Sequence, residues 1–198
     1  MGKVIHGNKN FGYAPINVDG DTYSFGSPVM LPGMISSSME IEQSDNTIYA
    51  DDVQYCIVKG AKVRSLEIVL RYISAAYAEY LGFKQNDNGM LTDTGTFPNH
   101  VIFFESEEED CATGKTTTTL HYLYNVKGSE PAKETTTDQE EISAQEITVA
   151  YKALDSQFVT DDDGAYVQYG YITRTDENAN VYDTFTTNIL LPTSQISL

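Results

Sequence analysis

The residues of this 198-residue chain that could do chemistry are three histidines, two cysteines and two acidic runs. His6, His100 and His121 stand far apart, outside any HExxH pattern and without a second donor at metal-ligand spacing. His121 lies in an alternating run beside aromatics, which reads as a hydrogen-bonded structural histidine. Asp161-Asp162-Asp163-Gly164 has the acidity of a calcium loop. That loop, however, needs acidic groups at alternate positions and a glutamate at its twelfth, where this chain carries Ile172. A turn with solvated charge is the reading that follows. Glu107-Glu108-Glu109-Asp110 crowds like charges that are best left in water. Cys56 and Cys111 are too few for a disulfide framework, and Cys56 sits in the apolar run Tyr55–Val58, so both read as reduced thiols of a protein that folds in cytosol. Nucleophile-elbow, P-loop and dinucleotide glycine patterns are absent, and nothing selects one pair of carboxylates as acid and base. The expectation is a protein that is not an enzyme, with no catalytic residue, cofactor or metal.

Charge narrows the partners. Twelve Lys and Arg against 29 Asp and Glu give a formal net charge of -17. Nucleic-acid binding needs clusters of cations to neutralise phosphates, so tight binding is excluded, although nucleic acid could pass by without sticking. Anionic membrane surfaces are excluded on the same ground. Met1–Asn8 lacks the apolar core of a signal peptide, and no apolar run approaches a membrane span. A hydrophobic content of 40% supports a real core, and the length predicts one domain over residues 1–198.

With no chemistry to position, the organising stretch is Met34 to Gly82. Ile35, Met39 and Ile41 alternate with Ser36, Ser38, Glu40 and Glu42, a period of two that marks a strand with one buried and one wet face. A turn is expected at Ser44–Asn46, then the run Thr47–Val58. Val63–Tyr72 repeats the device, with Leu66, Ile68, Leu70 and Tyr72 opposed to Ser65, Glu67, Val69 and Arg71. Strands of ten or so residues would be roughly 30 Å long, more than a domain of this size needs for its own core. They suit a sheet that continues into a neighbouring copy. Ser74–Gly82 reads as one helix, with Ser74 as N-cap, Gly82 as C-terminal stop, and Tyr77, Tyr80 and Leu81 as an apolar stripe.

Elsewhere strands and turns alternate. Residues 1–33 read as an N-terminal arm with a short strand at Phe11–Val18 and a turn at Asp19-Gly20; the arm is either loosely ordered or docked on another subunit. Gln85–Gly89 is a loop ending in an Asn-Gly turn. His100–Glu105 is apolar throughout and predicts a strand covered on both faces, followed by an acidic turn at Ser106–Lys115 and a strand at Thr116–Val126. Residues 127–141 read as an exposed loop and Ile142–Leu154 as a strand. Tyr166–Ile172 and Val181–Ile189 are expected to pair as strands across Asp176–Asn180. The fold class is mainly β, a β-sandwich or barrel with one short flanking α-helix.

At this point the order of segments resembles the major tail proteins, or tail tube proteins, of long-tailed, non-contractile bacteriophages. Asn10-Phe-Gly-Tyr-Ala-Pro15 is similar to that family's opening strand. Val29-Met-Leu-Pro-Gly33 is similar to its KLPGA step, Thr47-Ile-Tyr-Ala-Asp-Asp52 to its FYADN segment, and Ser65-Leu-Glu-Ile-Val-Leu70 with Leu81-Gly82 to its GDLEI…LG stretch. Tyr122–Val126 and Glu141–Val149 resemble its late strand pair. Arg64-Ser65 departs from the glycine turn expected before the LEI run. The resemblance implies a structural virion protein that assembles in the host cytoplasm as hexameric rings, stacked into a tube through which DNA is ejected. It implies partnership with itself and with the tape-measure, terminator and distal tail proteins. Strand alternation then makes Ser36, Ser38, Glu40, Glu42, Ser65 and Glu67 candidate lumen-facing residues, a lining that would repel phosphate so that DNA slides. Asn8, Asn10, Phe11, Lys127, Glu130 and Lys133 are candidates for ring-to-ring contacts. Two alternatives stand beside this reading. One is the tube protein of a contractile or secretion-type injection system; the other is a virion β-sandwich that binds carbohydrate or a receptor.

Overall fold

The computed structural model describes residues 2–20, 22–133 and 145–192. Its elements in chain order are β1 (Lys3–Asp19), β2 (Thr22–Phe25), β3 (Val29–Met30), β4 (Met34–Ala50), β5 (Val53–Leu70), α1 (Ala75–Ala78), β6 (Phe83–Gln85) and β7 (Leu91–Asp93). There follow β8 (His100–Asp110), β9 (Thr116–Gly128), β10 (Ala132–Lys133), β11 (Ile147–Ala153), β12 (Tyr169–Thr173) and α2 (Ala179–Tyr182). One large sheet runs β2-β1-β8-β9-β11-β5-β4, with β3 added to β1, β10 to β11 and β12 to β9, while β6 and β7 form a separate hairpin. The mainly β architecture expected from the sequence is observed, with two short helices where one was expected.

The sheet curls until β4 returns towards β1, where the Ser37 hydroxyl donates to the Asn8 side-chain oxygen at 3.2 Å. Its concave face encloses Phe11, Leu66, Ile68, Leu70, Ile102 and Val149. Each such side chain contributes about 1.5–3 kcal/mol when fully removed from water. Helix α1 closes this core with Tyr77 and, one turn on, Leu81. The helix begins where predicted, because the Ser74 hydroxyl accepts from the Tyr77 amide at 3.2 Å, and it stops at Gly82, whose φ of 93° is left-handed. On the back of β8 and β9 a second core gathers Val101, Phe103, Leu120 and Tyr122 beneath Tyr182 and Phe185. Successive residues of β8 therefore enter different cores, Val101 and Phe103 one way, Ile102 and Phe104 the other. That is why the run His100–Glu105 shows no alternation of polarity.

Several local expectations are corrected. The chain does not turn at Ser44–Asn46. β4 continues to Ala50, with only a register shift between Gln43 and Asp45, and the hairpin turns at Asp51 and Asp52. Both aspartates have positive φ, 52° and 61°, the pair of left-handed residues that a two-residue hairpin turn requires. Aspartate tolerates that region, so no glycine advertised the turn. Residues 1–33 are no loose arm, because β1 pairs along β8 from Lys3 to Pro15. The acidic run is a strand and not a turn: Glu107, Glu108 and Glu109 lie opposite β1, where Lys9 pairs with Glu107, Lys3 with Glu108, and His6 sits 3.5 Å from Glu109. The turn itself lies at Cys111–Gly114, held by amides that donate to the Asp110 carboxylate.

Val181–Ile189 is not a strand. Its β-branched and aromatic residues suit a strand, but the Asn178 side chain bridges Thr175 and Thr173 and its carbonyl receives the Val181 and Tyr182 amides, starting a helical turn. Tyr182 and Phe185 then share one face at helical spacing and enter the second core. Tyr169–Thr173 pairs with β9 instead. Tyr72, placed on the core side by alternation, is 60% exposed because the strand ends at Leu70. Of the predicted strand Ile142–Leu154 the structure gives Ile147–Ala153, and residues 134–144, including most of the expected loop, lie outside the described residues.

Gly12 marks the tightest crossing of β1 over the core. A Cβ there would lie 2.8 Å from the Val29 carbonyl and collide with the Phe103 ring. Gly12→Ala should cost about 1–3 kcal/mol through overpacking, measured as a lower urea midpoint with an unchanged slope.

Candidate self-assembly surface

The alternation read in the sequence predicts the faces of β4 and β5 over their inner halves. Cross-strand partners share a face in an antiparallel pair. Ser38 lies opposite Glu67, Glu40 opposite Ser65, and Glu42 opposite Val63, whereas Met39 lies opposite Leu66 and Ser37 opposite Ile68. The first set is turned away from the core; Leu66 and Ile68 are turned into it. β11 extends the polar rows, with Ala150 opposite Glu67 and Lys152 opposite Ser65. The end of β9 adds Lys127 opposite Lys152. One transverse row on the outer face therefore reads Glu40, Ser65, Lys152, Lys127. It crosses a shallow groove of about 420 Å³ that Ser38, Glu67 and Ser129 also border.

Beyond Ile41 the hairpin leaves its own core. The last partner of β5 on its second side is Ala153, opposite Arg64, so Val53–Val63 pairs with β4 alone. β4 has no ladder partner on its outer side among the described residues. The ten residues from Ile41 to the apex would span about 30 Å. This projection carries Ile41, Ile48, Tyr49, Val53, Tyr55, Ile57 and Val58 in exposed positions, Tyr49 at 69% and Tyr55 at 75%. Thr47 lies opposite Ile57 and the adjacent Asn46 opposite Val58, so apolar side chains occupy both faces. The sequence signal for this surface was the failure of polar alternation across Val53–Val58, where a one-sided strand would show a wet face.

The structure separates the six residues expected at ring-to-ring contacts. Phe11 is fully buried in the subunit's own core, 0% exposed, and is a packing residue. Asn8 accepts from Ser37. Asn10 takes a positive φ of 53° at the register shift between Lys9 and Gly12, and its amide donates to the buried Glu105 carboxylate, which also receives the Tyr182 hydroxyl at 2.6 Å. Lys127, Glu130 and Lys133 are exposed along the strand that flanks β11.

The histidines have structural environments. His121 lies between the Ser106 hydroxyl at 2.8 Å and the Tyr169 hydroxyl at 2.7 Å, and stacks on Phe104, tying β8, β9 and β12 together. His100 is buried beside Tyr77, and its Nδ1–H donates to the Pro98 carbonyl at 3.0 Å. Burial lowers the His100 pKa to about 4, against the weaker opposing pull of that carbonyl, and burial lowers His121 as well. Among the described residues, no group of three His, Cys, Asp or Glu side chains is placed to hold a metal ion. No helix among them is long and apolar enough to cross a membrane.

A wet-faced sheet, edges with no further strand among the described residues and a projecting hairpin with exposed apolar side chains are the features this surface offers to another chain. The sequence matches the family model described as phage tail tube protein over residues 2–198, and the chain belongs to that family. It is a family of structural components of the virion tail rather than of enzymes. No curated protein matches the chain. Among solved structures, the tube-terminating cap of the anti-feeding prophage, determined by cryo-EM, is similar with a TM-score of 0.45 and 9% identity, covering 83% of this chain and 89% of that one.

The buried histidine sets an acid limit on the fold. Unfolded His100 titrates near its ordinary value and the folded residue near 4, so between those values the unfolded chain binds more protons and stability falls as pH falls. The loss should approach about 3 kcal/mol between neutral pH and pH 4. Urea melts of the protein and of His100→Asn across this range should show the extra acid lability in the former and its absence in the latter.

Proposed function

We propose that this protein is the polymerising subunit of the tail tube: copies assemble as hexameric rings, the rings stack, and DNA passes along the lumen during ejection. The observation that carries the reading is the β4–β5 hairpin, which beyond Ile41 carries exposed apolar side chains on both faces and, among the described residues, meets no further strand on either edge. Such edges are templates for further strands, and an exposed apolar surface of this kind marks a protein interface. Strands supplied by neighbouring copies satisfy both needs at once and close the sheet into a barrel without free edges.

In this arrangement the outer face of β4 and β5 lines the channel, with Ser36, Ser38, Glu40, Glu42, Ser65 and Glu67 facing the lumen. Carboxylates and small hydroxyls there repel or ignore phosphate, and six copies multiply a charge that is already -17 per chain. DNA slides as a consequence. Glu130 and Lys133, both exposed, remain available for contacts between rings, while the Asn8 and Asn10 side chains are engaged within the subunit. Its further partners are the tape-measure, terminator and distal tail proteins. Assembly takes place in the host cytoplasm, and the product resides in the virion tail.

Replacing Tyr55 and Ile57 together by aspartate tests the proposal, since neither side chain touches the subunit's core. The variant monomer should unfold within about 0.5 kcal/mol of the unmodified protein, as expected for surface substitutions, yet form no rings or tubes in negative-stain electron microscopy. Tubes of normal length from the variant would refute it.

A further inference from the structure

The run β4-β5-β11, continued by the chain from Lys127 to Lys133, ends in two edges, one carrying Glu40 and Glu42 and the other Lys127 and Lys133 with Glu130 between them, and we propose that these are the two sides of the seam between adjacent subunits in a ring. The inference rests on the self-assembly reading above and specifies which strands meet and what holds them.

One edge is β4, whose outward-facing side chains include Glu40 and Glu42. Neither has an ion-pair partner among the described residues. The other edge is the chain from Lys127 to Lys133. It lies along β11 through the pairs Lys127–Lys152 and Gly128–Tyr151, the bond from the Ser129 amide to the Ala150 carbonyl, and the pairs Ala132–Thr148 and Lys133–Ile147. β8 covers its other side only as far as Val126, opposite His100. Past that point no described strand occupies the outer side.

Direction favours the join. β4, β5, β11 and the Lys127–Lys133 edge alternate in direction, each antiparallel to the next. In a ring whose copies share one orientation, β4 of one subunit therefore meets the Lys127–Lys133 edge of the next in the antiparallel sense, and the alternation continues across the seam. A contact between different patches of identical chains is the kind that closes rings.

Charge favours it as well. Lys127 and Lys152 are direct cross-strand partners on the outer face, both exposed and neither ion-paired among the described residues. Like charges in that position oppose pairing, and anions added beside Lys127 relieve a repulsion that Glu67, next to Lys152 on the same face, offsets only from the far side. β4 of the neighbour supplies two, on the same face of the continued sheet. Glu40 and Glu42 thus have a second role beside lining the channel, and Lys127 belongs within a ring rather than between rings.

The test uses two full-length variants, one carrying Glu40→Lys and Glu42→Lys, the other Lys127→Glu and Lys152→Glu. Each variant alone presents like charges at every seam, so each should need at least tenfold more protein than the unmodified chain to form rings, scored by negative-stain microscopy and light scattering. A 1:1 mixture restores opposite charges at every seam of an alternating ring with an even number of copies. It should assemble near the unmodified concentration. Thermal melts of each monomer confirm that it is folded; a variant that does not fold is replaced by its single substitution, Glu40→Lys or Lys127→Glu. If both variants assemble normally alone, or the mixture is no better than either, the seam is wrong while the tube reading survives. If the unmodified protein forms no rings, both are wrong.

Discussion

The constraint behind this structure is the backbone's need for hydrogen-bond partners at a sheet edge. A strand inside a sheet satisfies its amides and carbonyls on both sides; an edge strand satisfies one side and leaves the other to water or to another chain. Among the described residues β4 is such an edge over its full length, and β5 becomes one past Arg64. Proteins that must stay apart blunt their edges with short strands, proline or inward charges. This chain instead leaves a hairpin of two long strands, 17 and 18 residues, with Ile48, Tyr49, Tyr55 and Ile57 in the open.

The remainder of the fold holds that hairpin at a defined angle. Its inner half is fixed by Leu66, Ile68 and Leu70 in the enclosed core and by β11 alongside, while α1 closes the core with Tyr77 and Leu81. β8 and β9 are sandwiched between two apolar clusters and form the stiff centre. Their acidic outer ends are matched by Lys3 and Lys9 of β1, and the Lys9 ammonium holds the Glu107 carboxyl below the usual range. These pairs are exposed and contribute little to stability. They draw two cations out of the small supply of twelve Lys and Arg.

Much of this was legible in the residues. The two-residue period gave the correct faces over Ser36–Glu40 and Ser65–Leu70, where one face meets the core and the other is wet; Ile41, expected on the buried face, is 54% exposed because the hairpin has by then left the core. Ser74 and Gly82 bounded the helix for reasons local to the chain. The failures are equally physical. The Asp51-Asp52 turn was hidden because its left-handed residues are aspartates, while Ser44–Asn46 offered a more familiar turn composition. Val181–Ile189 looked extended because its propensities are those of a strand, and a distant core selected the spacing of Tyr182 and Phe185 instead. Phe11 opened an expected short strand in a glycine- and asparagine-rich arm with no periodicity to show a core face, and its burial depends on β8, some ninety residues away along the chain. Lys152 carried no signal at all, since its meeting with Lys127 exists only once β9 and β11 are paired.

At the two ends of the run β4-β5-β11 with its Lys127–Lys133 neighbour, β4 and the segment from Lys127 to Lys133 run in opposite directions. Such a sheet has a handed polarity: a copy added on either flank presents again the kind of edge that was just covered. Hydrogen-bond chemistry alone sets no limit to such a series, so any closure of it into a circle would be governed by the twist and coil of the strands. Geometry of that sort is shared among many residues, which makes copy number a collective property that no single side chain dictates.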